Sequence, residues 1–152
     1  MKNGLIISDN GAKCWFKDDK KHRDDGPAIE MPDGTTFWYV EGKRHREDGP
    51  AVEWGDGGTE WYFNGVLHRE GGPAIDKSDG NACWHLHGKK HRDGGLPAIE
   101  YNGDKKWYVN NKLHREDGPA IERASGYKEW RLNGLLHRED GPAIEDDRGY
   151  KA

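Results

Sequence analysis

Six His-Arg pairs stand at His22-Arg23, His45-Arg46, His68-Arg69, His91-Arg92, His114-Arg115 and His137-Arg138, each followed by one or two acids and then by glycine and proline. Imidazole beside carboxylate is the usual material of a metal site or of general acid–base catalysis. A row formed by Arg23, Arg46, Arg69, Arg92, Arg115 and Arg138 would suit anions instead. If each unit spans two strands, neighbouring guanidinium groups stand about 9–10 Å apart, and each can grip a phosphate with two parallel hydrogen bonds. A third candidate is Cys83, His85 and His87, which alternate along one segment with His91 just beyond, a donor set for a soft metal.

Recurrence argues against catalysis. An active site needs one asymmetric constellation of differently tuned groups, whereas six equivalent copies place the same groups in six equivalent settings. The third and fourth copies also lose the second acid, reading Glu70-Gly71-Gly72 and Asp93-Gly94-Gly95. No catalytic residue and no cofactor are expected. The plainer reading of the motif is that Asp closes a turn, Gly supplies positive φ, and Arg pairs with a Glu of a neighbouring unit. Same-face neighbours on one strand lie about 7 Å apart, too far to close a compact site, so Cys83, His85 and His87 mark only where a metal would be sought.

The element that must position these residues is a repeat. The His-Arg pairs recur every 23 residues, and so do Trp15, Trp38, Trp61, Trp84, Trp107 and Trp130; Trp54 alone is off register. A fixed period in this range overrides local readings. Residues 1–152 therefore form one repeat domain. The fourth unit inserts Leu96 before Pro97, and the next turn loses one residue, so the Trp spacing recovers at once. Asp33-Gly34, Asp56-Gly57, Asp79-Gly80 and Asn102-Gly103 are two-residue hairpin signals. A second turn falls at Asn64-Gly65, Asn110-Asn111 and Asn133-Gly134, with weaker versions at Glu41-Gly42, His87-Gly88 and Asp18-Asp19. Gly and Pro recur too often for helix.

The expected architecture is all-β: an elongated single-layer stack of antiparallel β-hairpins built from six 23-residue repeats. The period of two along Thr35 to Val40 puts Trp38 and Val40 on one face and Phe37 and Tyr39 on the other. The Trp face, interleaved with Ile29, Val52, Ile75, Ile99, Ile121 and Ile144, is the expected core. The opposite face varies, and Phe16, Tyr39, Tyr62, His85, Tyr108 and Arg131 project there. Tyr and Arg are common interface anchors, which makes Tyr39, Tyr62, His85, Tyr108 and Arg131 the candidate protein-binding row. The first strand, within 4–8, caps the stack or pairs with a second copy to give a homodimer, whereas Asp146, Asp147 and Arg148 guard the terminal edge, 143–152.

Composition narrows the function. Lys and Arg number 24 against 28 Asp and Glu, a formal charge of −4, so generic nucleic-acid binding is not expected. Only 22 residues are Leu, Ile, Val or Phe, too few for a large conventional core, and no apolar run is long enough for a membrane span or a signal peptide. Cys14 and Cys83 lie three repeats apart, beyond disulfide reach in an open stack, and free thiols favour a cytoplasmic location.

Tyr62-Phe63-Asn64-Gly65-Val66-Leu67-His68 and Trp107-Tyr108-Val109-Asn110-Asn111-Lys112-Leu113-His114 resemble MORN repeats, in particular the variant of bacterial and phage proteins. The resemblance spans nearly the whole chain, although Arg-Glu-Asp-Gly-Pro-Ala replaces a shorter Gly-rich stretch after the His. It implies a single-layer stack of β-hairpins used for protein contacts or, in some members, phospholipid association, and no enzyme. By analogy it suggests a bacterial or phage accessory or inhibitory protein. The expected function is a scaffold that binds a partner protein. The alternative is sequestration of a nucleotide or lipid headgroup through the Arg row.

Overall fold

A computed structural model describes the chain from Met1 to Ala152. It is all-β and elongated, with no helix. One antiparallel sheet of fourteen strands runs its whole length. After Gly4–Ile7, Lys13–Lys17 and Ile29–Glu30, each unit adds a strand ending just before its Trp and a strand after its Pro-Ala, as in Thr36–Phe37 and Val52–Glu53. Five two-stranded hairpins stand off this sheet, beginning with Tyr39–Val40 paired to Lys43–Arg44.

Thr35 to Val40 is therefore not one strand. It breaks at Trp38, and the same break recurs at Trp61, Trp84, Trp107 and Trp130. Each Trp is a pivot between two hydrogen-bonded systems. Its N–H donates to an Ala carbonyl in the main sheet at 2.7–2.9 Å, while its own carbonyl accepts the following His N–H at 3.0–3.2 Å. The hairpins in turn bind one another. Gly42, Gly65, Gly88, Asn111 and Gly134 donate to carbonyls of the preceding unit at 2.8–3.0 Å. The stack thus has two hydrogen-bonded rows where one was expected.

The turn residues explain the spacing. All six pairs at the second turn have positive φ at both positions, from Asn64-Gly65 to the weakest signal, Asp18-Asp19, as a type I′ turn requires. Asp33-Gly34 and its counterparts do not. Only the Gly has positive φ there, and Met31 and Thr35 close a three-residue loop in which the Asp33 carboxylate accepts the Thr35 N–H. That bond, like the one from Gly58 to Asp56, holds the carboxyl below its ordinary range. Asn102-Gly103 alone is a two-residue turn with both φ positive. The residue missing after repeat four is the difference between these two loop types.

The core is narrower than expected. Ala28, Ala51, Ala74, Ala98 and Ala120 are 0% exposed, and Val52 is the only large side chain fully buried. Cross-strand register pairs the aliphatic row with the residue before each Trp, as in Val52 with Phe37 and with Glu60, so the Ile row lies on the face opposite the Trp row. Val40, Phe63 and Val109, assigned to the core side by alternation, are exposed.

The two ends differ in kind. Gly4–Ile7 is exposed along its length and pairs only with Lys13–Lys17, leaving its outer edge unpaired. At the other end Lys151–Ala152 folds back on Ile144–Glu145, with mutual backbone bonds between Ile144 and Ala152. Asp146 is the staple of that turn, accepting the N–H groups of Arg148 and Tyr150, rather than a guard on the edge. No helix is long and apolar enough to cross a membrane.

Candidate functional site

On the Trp face each arginine is built into its own repeat. The guanidinium carbon of Arg23, Arg46, Arg69, Arg92, Arg115 and Arg138 sits 3.7–4.1 Å from the ring centroid of the unit's Trp. Nη1 donates to the Pro carbonyl four or five residues on, at 3.0–3.3 Å. In five of the six it also reaches the Glu that follows the Ile or Val of the next strand, at 2.7–3.4 Å. Where the second acid is present, Nε donates to it at 2.9–3.1 Å, as in Arg46 to Asp48. Arg69 has Pro73 alone, because Asp76 is one methylene shorter than Glu and Gly71 replaces the acid.

The partner Glu belongs to the same unit, not a neighbour. In five of the six units the glycine three residues after Arg has a role other than positive φ; Gly95, in the fourth unit, does take positive φ. Gly26, Gly49, Gly72, Gly118 and Gly141 lack that conformation, and a Cβ there would meet the guanidinium, at 2.7 Å from Arg46 Cζ for Gly49. Gly49→Ala is expected to push Arg46 off Trp38 and cost about 1–2 kcal/mol by local overpacking. An unchanged thermal melt would show that the guanidinium has room to move.

These clips change what the surface presents. The Arg side chains of the clips that also hold a carboxylate are 20–24% exposed, whereas the acids beside them are 77–90% exposed. The ridge therefore shows carboxylates outward and turns its guanidinium groups inward. Beside it runs a row two residues past each Trp: Val40, Phe63 and Val109 exposed, Leu86 and Leu132 half-buried. Their cross-strand partners in the hairpins are Lys43, Val66, Lys112, Lys89 and Leu135, respectively.

The histidines of the repeat join units. The turn N–H groups of Glu41, Asn64, His87, Asn110 and Asn133 donate to Nδ1 of His22, His45, His68, His91 and His114 at 3.0–3.3 Å. A ring that accepts at Nδ1 carries its neutral-form proton on Nε2. Nε2 faces Asp24 at 2.8 Å and Asp93 at 2.9 Å.

The opposite face holds the residues expected to form an interface. Tyr39, Tyr62, Tyr108 and Arg131 are half-buried there and His85 is 8% exposed. Tyr62 donates to Glu60 and accepts from Arg44, which also bonds Tyr39. Burial and the Glu60 charge push the Tyr62 hydroxyl up, and burial alone does the same to Tyr108. Arg131 and Tyr127 converge on Glu129. Burial would raise that carboxyl, but these two hydrogen bonds prevail and hold it low.

The Cys83, His85 and His87 set does not assemble. The strand ends at Leu86; His87 is a turn residue with φ +48°, and its ring stacks on His68 with centroids 4.3 Å apart. No group of three His, Cys, Asp or Glu side chains is close enough to hold a metal. Both cysteines are free.

The Trp–Arg–Glu clip and the exposed apolar row went unseen in the sequence, although both have signals there. Arg follows Trp by eight residues in every unit, and an acid follows Arg by seven or eight. No protein-family model matches the chain, and no curated protein matches it.

Proposed function

We propose that this chain is a non-enzymatic repeat scaffold that binds a partner protein along the apolar row at Val40, Phe63, Leu86, Val109 and Leu132. The observation that carries the reading is the striping of this face. An apolar row is flanked on one side by outward carboxylates and on the other by Lys43, Lys89 and Lys112. The units at Val40, Leu86 and Val109 offer all three groups, those at Phe63 and Leu132 put Val66 and Leu135 where the lysine stands, and successive units lie about 9–10 Å apart, a spacing that suits an extended partner element. The resemblance to MORN repeats points the same way, and free Cys14 and Cys83 fit a reducing cytoplasm. The bacterial or phage setting belongs to the same proposal and rests on that resemblance.

The test is site-specific photocrosslinking in cells that hold the protein. A crosslinker at Phe63 or Val109 is expected to capture one discrete protein, and the adjacent positions Tyr62 and Tyr108, on the other face, to capture none. Capture only from Tyr62 and Tyr108 would move the interface to the tyrosine face. Capture from neither pair would overturn the reading.

A further inference from the structure

Along the tyrosine face, the position before each Trp reads Glu60, Cys83, Lys106 and Glu129 in successive units. At both ends of this stretch the acid is satisfied. Glu60 accepts from the Trp54 indole and the Tyr62 hydroxyl and lies 3.8 Å from Arg44. Glu129 takes Arg131 and Tyr127. Between them that position carries no acid and the cations continue; the one carboxylate of the neighbouring strand that shares this face, Asp104, accepts the Ala124 N–H. Lys77, Lys90 and Lys106 make no ion pair; Lys90 Nζ stands 5.3 Å from the Tyr108 ring centroid, and Lys77 Nζ stands 5.5 Å from that of Tyr101. Lys106 shares its face with Cys83 across the intervening Ile99.

A second feature lies in the same place. His85 is the cross-strand neighbour of Lys90 and is 8% exposed; its buried Nδ1 has no partner in ordinary hydrogen-bond geometry, and the one polar group of the backbone that acts on the ring belongs to Cys83. Natural structures leave few buried polar atoms unpaired; the other one in this chain is the Trp38 indole Nε1, and His85 differs in standing beside a lysine that makes no ion pair.

We propose that Lys77, Lys90 and Lys106, gathered around Cys83 and His85, form a binding site for a small phosphate-type dianion. Three separated ammonium groups and an imidazole call for a ligand with several acceptor oxygens and more than one negative charge, which a phosphate has and a single carboxylate lacks. The surrounding field agrees. Burial pushes the Cys83 thiol up, and Lys90, Lys77 and Lys106 pull against it, with no acid among the groups that act on it. This site is separate from the arginine row, whose donors are spent within the repeats, and it lies on the face opposite the proposed protein interface. Loss of either reading leaves the other standing.

Cys14 occupies the position equivalent to Cys83 three units earlier, on the same face, and is an internal control. The experiment compares the two thiols, by peptide mapping, in their reaction with the dianionic 5,5′-dithiobis(2-nitrobenzoate) and with neutral dithiodipyridine. The ratio of the two reagents cancels each thiol's own reactivity. Cys83 is expected to favour the dianion over the neutral reagent by about fivefold or more relative to Cys14 at low salt. The preference should disappear in Lys90→Ala/Lys106→Ala. Inorganic phosphate, at ionic strength matched with chloride, should suppress the dianion reaction at Cys83 and leave Cys14 unchanged. Phenyl phosphate competing at lower concentration than inorganic phosphate would assign a phosphate ester as the ligand, and equal potency would assign the free ion. Equal preference at the two cysteines, or phosphate without effect at Cys83, overturns the proposal.

Discussion

Arg115→Ala is expected to destabilise the stack by about 2–4 kcal/mol, the combined scale of a partly desolvated cation–π contact and charge-assisted hydrogen bonds. The guanidinium lies 4.0 Å from the Trp107 ring and donates to Pro119 O at 3.2 Å, Glu122 at 2.9 Å and Asp117 at 3.0 Å. Those contacts tie one hairpin turn, one main-sheet strand and the Trp pivot together, so losing them loosens three elements at once. Lysine should not rescue. An ammonium has no planar fork to lie on the indole while reaching two oxygens. Arg69→Ala is the internal comparison, because that residue keeps the Trp61 stack and the Pro73 carbonyl but has no carboxylate partner. Its cost should be less than that of Arg115→Ala by about 1 kcal/mol or more, the worth of a hydrogen bond to a charged group. Urea melts followed by circular dichroism measure both. A loss at Arg115 within about 0.5 kcal/mol of zero, the ordinary range for a surface substitution, would remove the clip from the account of stability.

The repeat, the absence of helix and the type I′ turns were legible because each depends on local chemistry at a fixed interval. Asn64-Gly65 accepts positive φ at two successive positions whatever surrounds it, and even Asp18-Asp19 follows once the register is known. The break at Trp38 was not legible. Alternation along Thr35 to Val40 gives the correct faces, but it does not say which partner strand each half takes. That is decided by the Trp N–H binding Ala51 while its carbonyl binds His45. The Asp33-Gly34 loop was misjudged by one residue since a glycine with positive φ serves both the two-residue and the three-residue turn. Only the shortened unit at Asn102-Gly103 carries the difference.

The same limit governs the surface. Size suggested that the Trp row was core and that its opposite was exposed, yet arginine covers the indoles, and within the hairpins Tyr62 is half-buried and His85 buried. An exposed apolar row at Phe63 and Val109 emerges from that exchange. It is invisible to a pattern that counts a valine two residues past a tryptophan as buried. The lysines around Cys83 are a subtler case. Nothing in the sequence near Lys90 says that it lacks a carboxylate, because the missing partner is the acid that a neighbouring unit would have supplied at Cys83 or Lys106.

Trp107→Ala is expected to cost about 3–5 kcal/mol, the range for removing a buried aromatic, and to be the most damaging change in the Trp row. Trp107 is the most enclosed of the six, at 6% exposed, and its indole N–H donates to Gly95 O at 2.8 Å. The acceptor, Gly95, stands directly before the inserted Leu96. Gly94 and Gly95 both take positive φ, at 79° and 70°, which bulges the loop outward and leaves Leu96 half exposed while the Gly95 carbonyl turns in toward the next unit's Trp. No other Trp of the row has this bond; the Trp38 indole N–H is buried without a partner. Trp107→Phe should therefore separate the two contributions, losing about 1 kcal/mol for the hydrogen bond on top of the smaller ring. Trp61→Ala, at a half-buried indole with no such bond, should cost less. Because each unit rests mainly on its neighbours, the damage at Trp107 should show as early hydrogen exchange in residues 84–130, with the first two repeats still protected. Equal losses for Trp61→Ala and Trp107→Ala would mean that the Leu96 insertion is only tolerated, and that the Gly95 bond adds nothing to the stack.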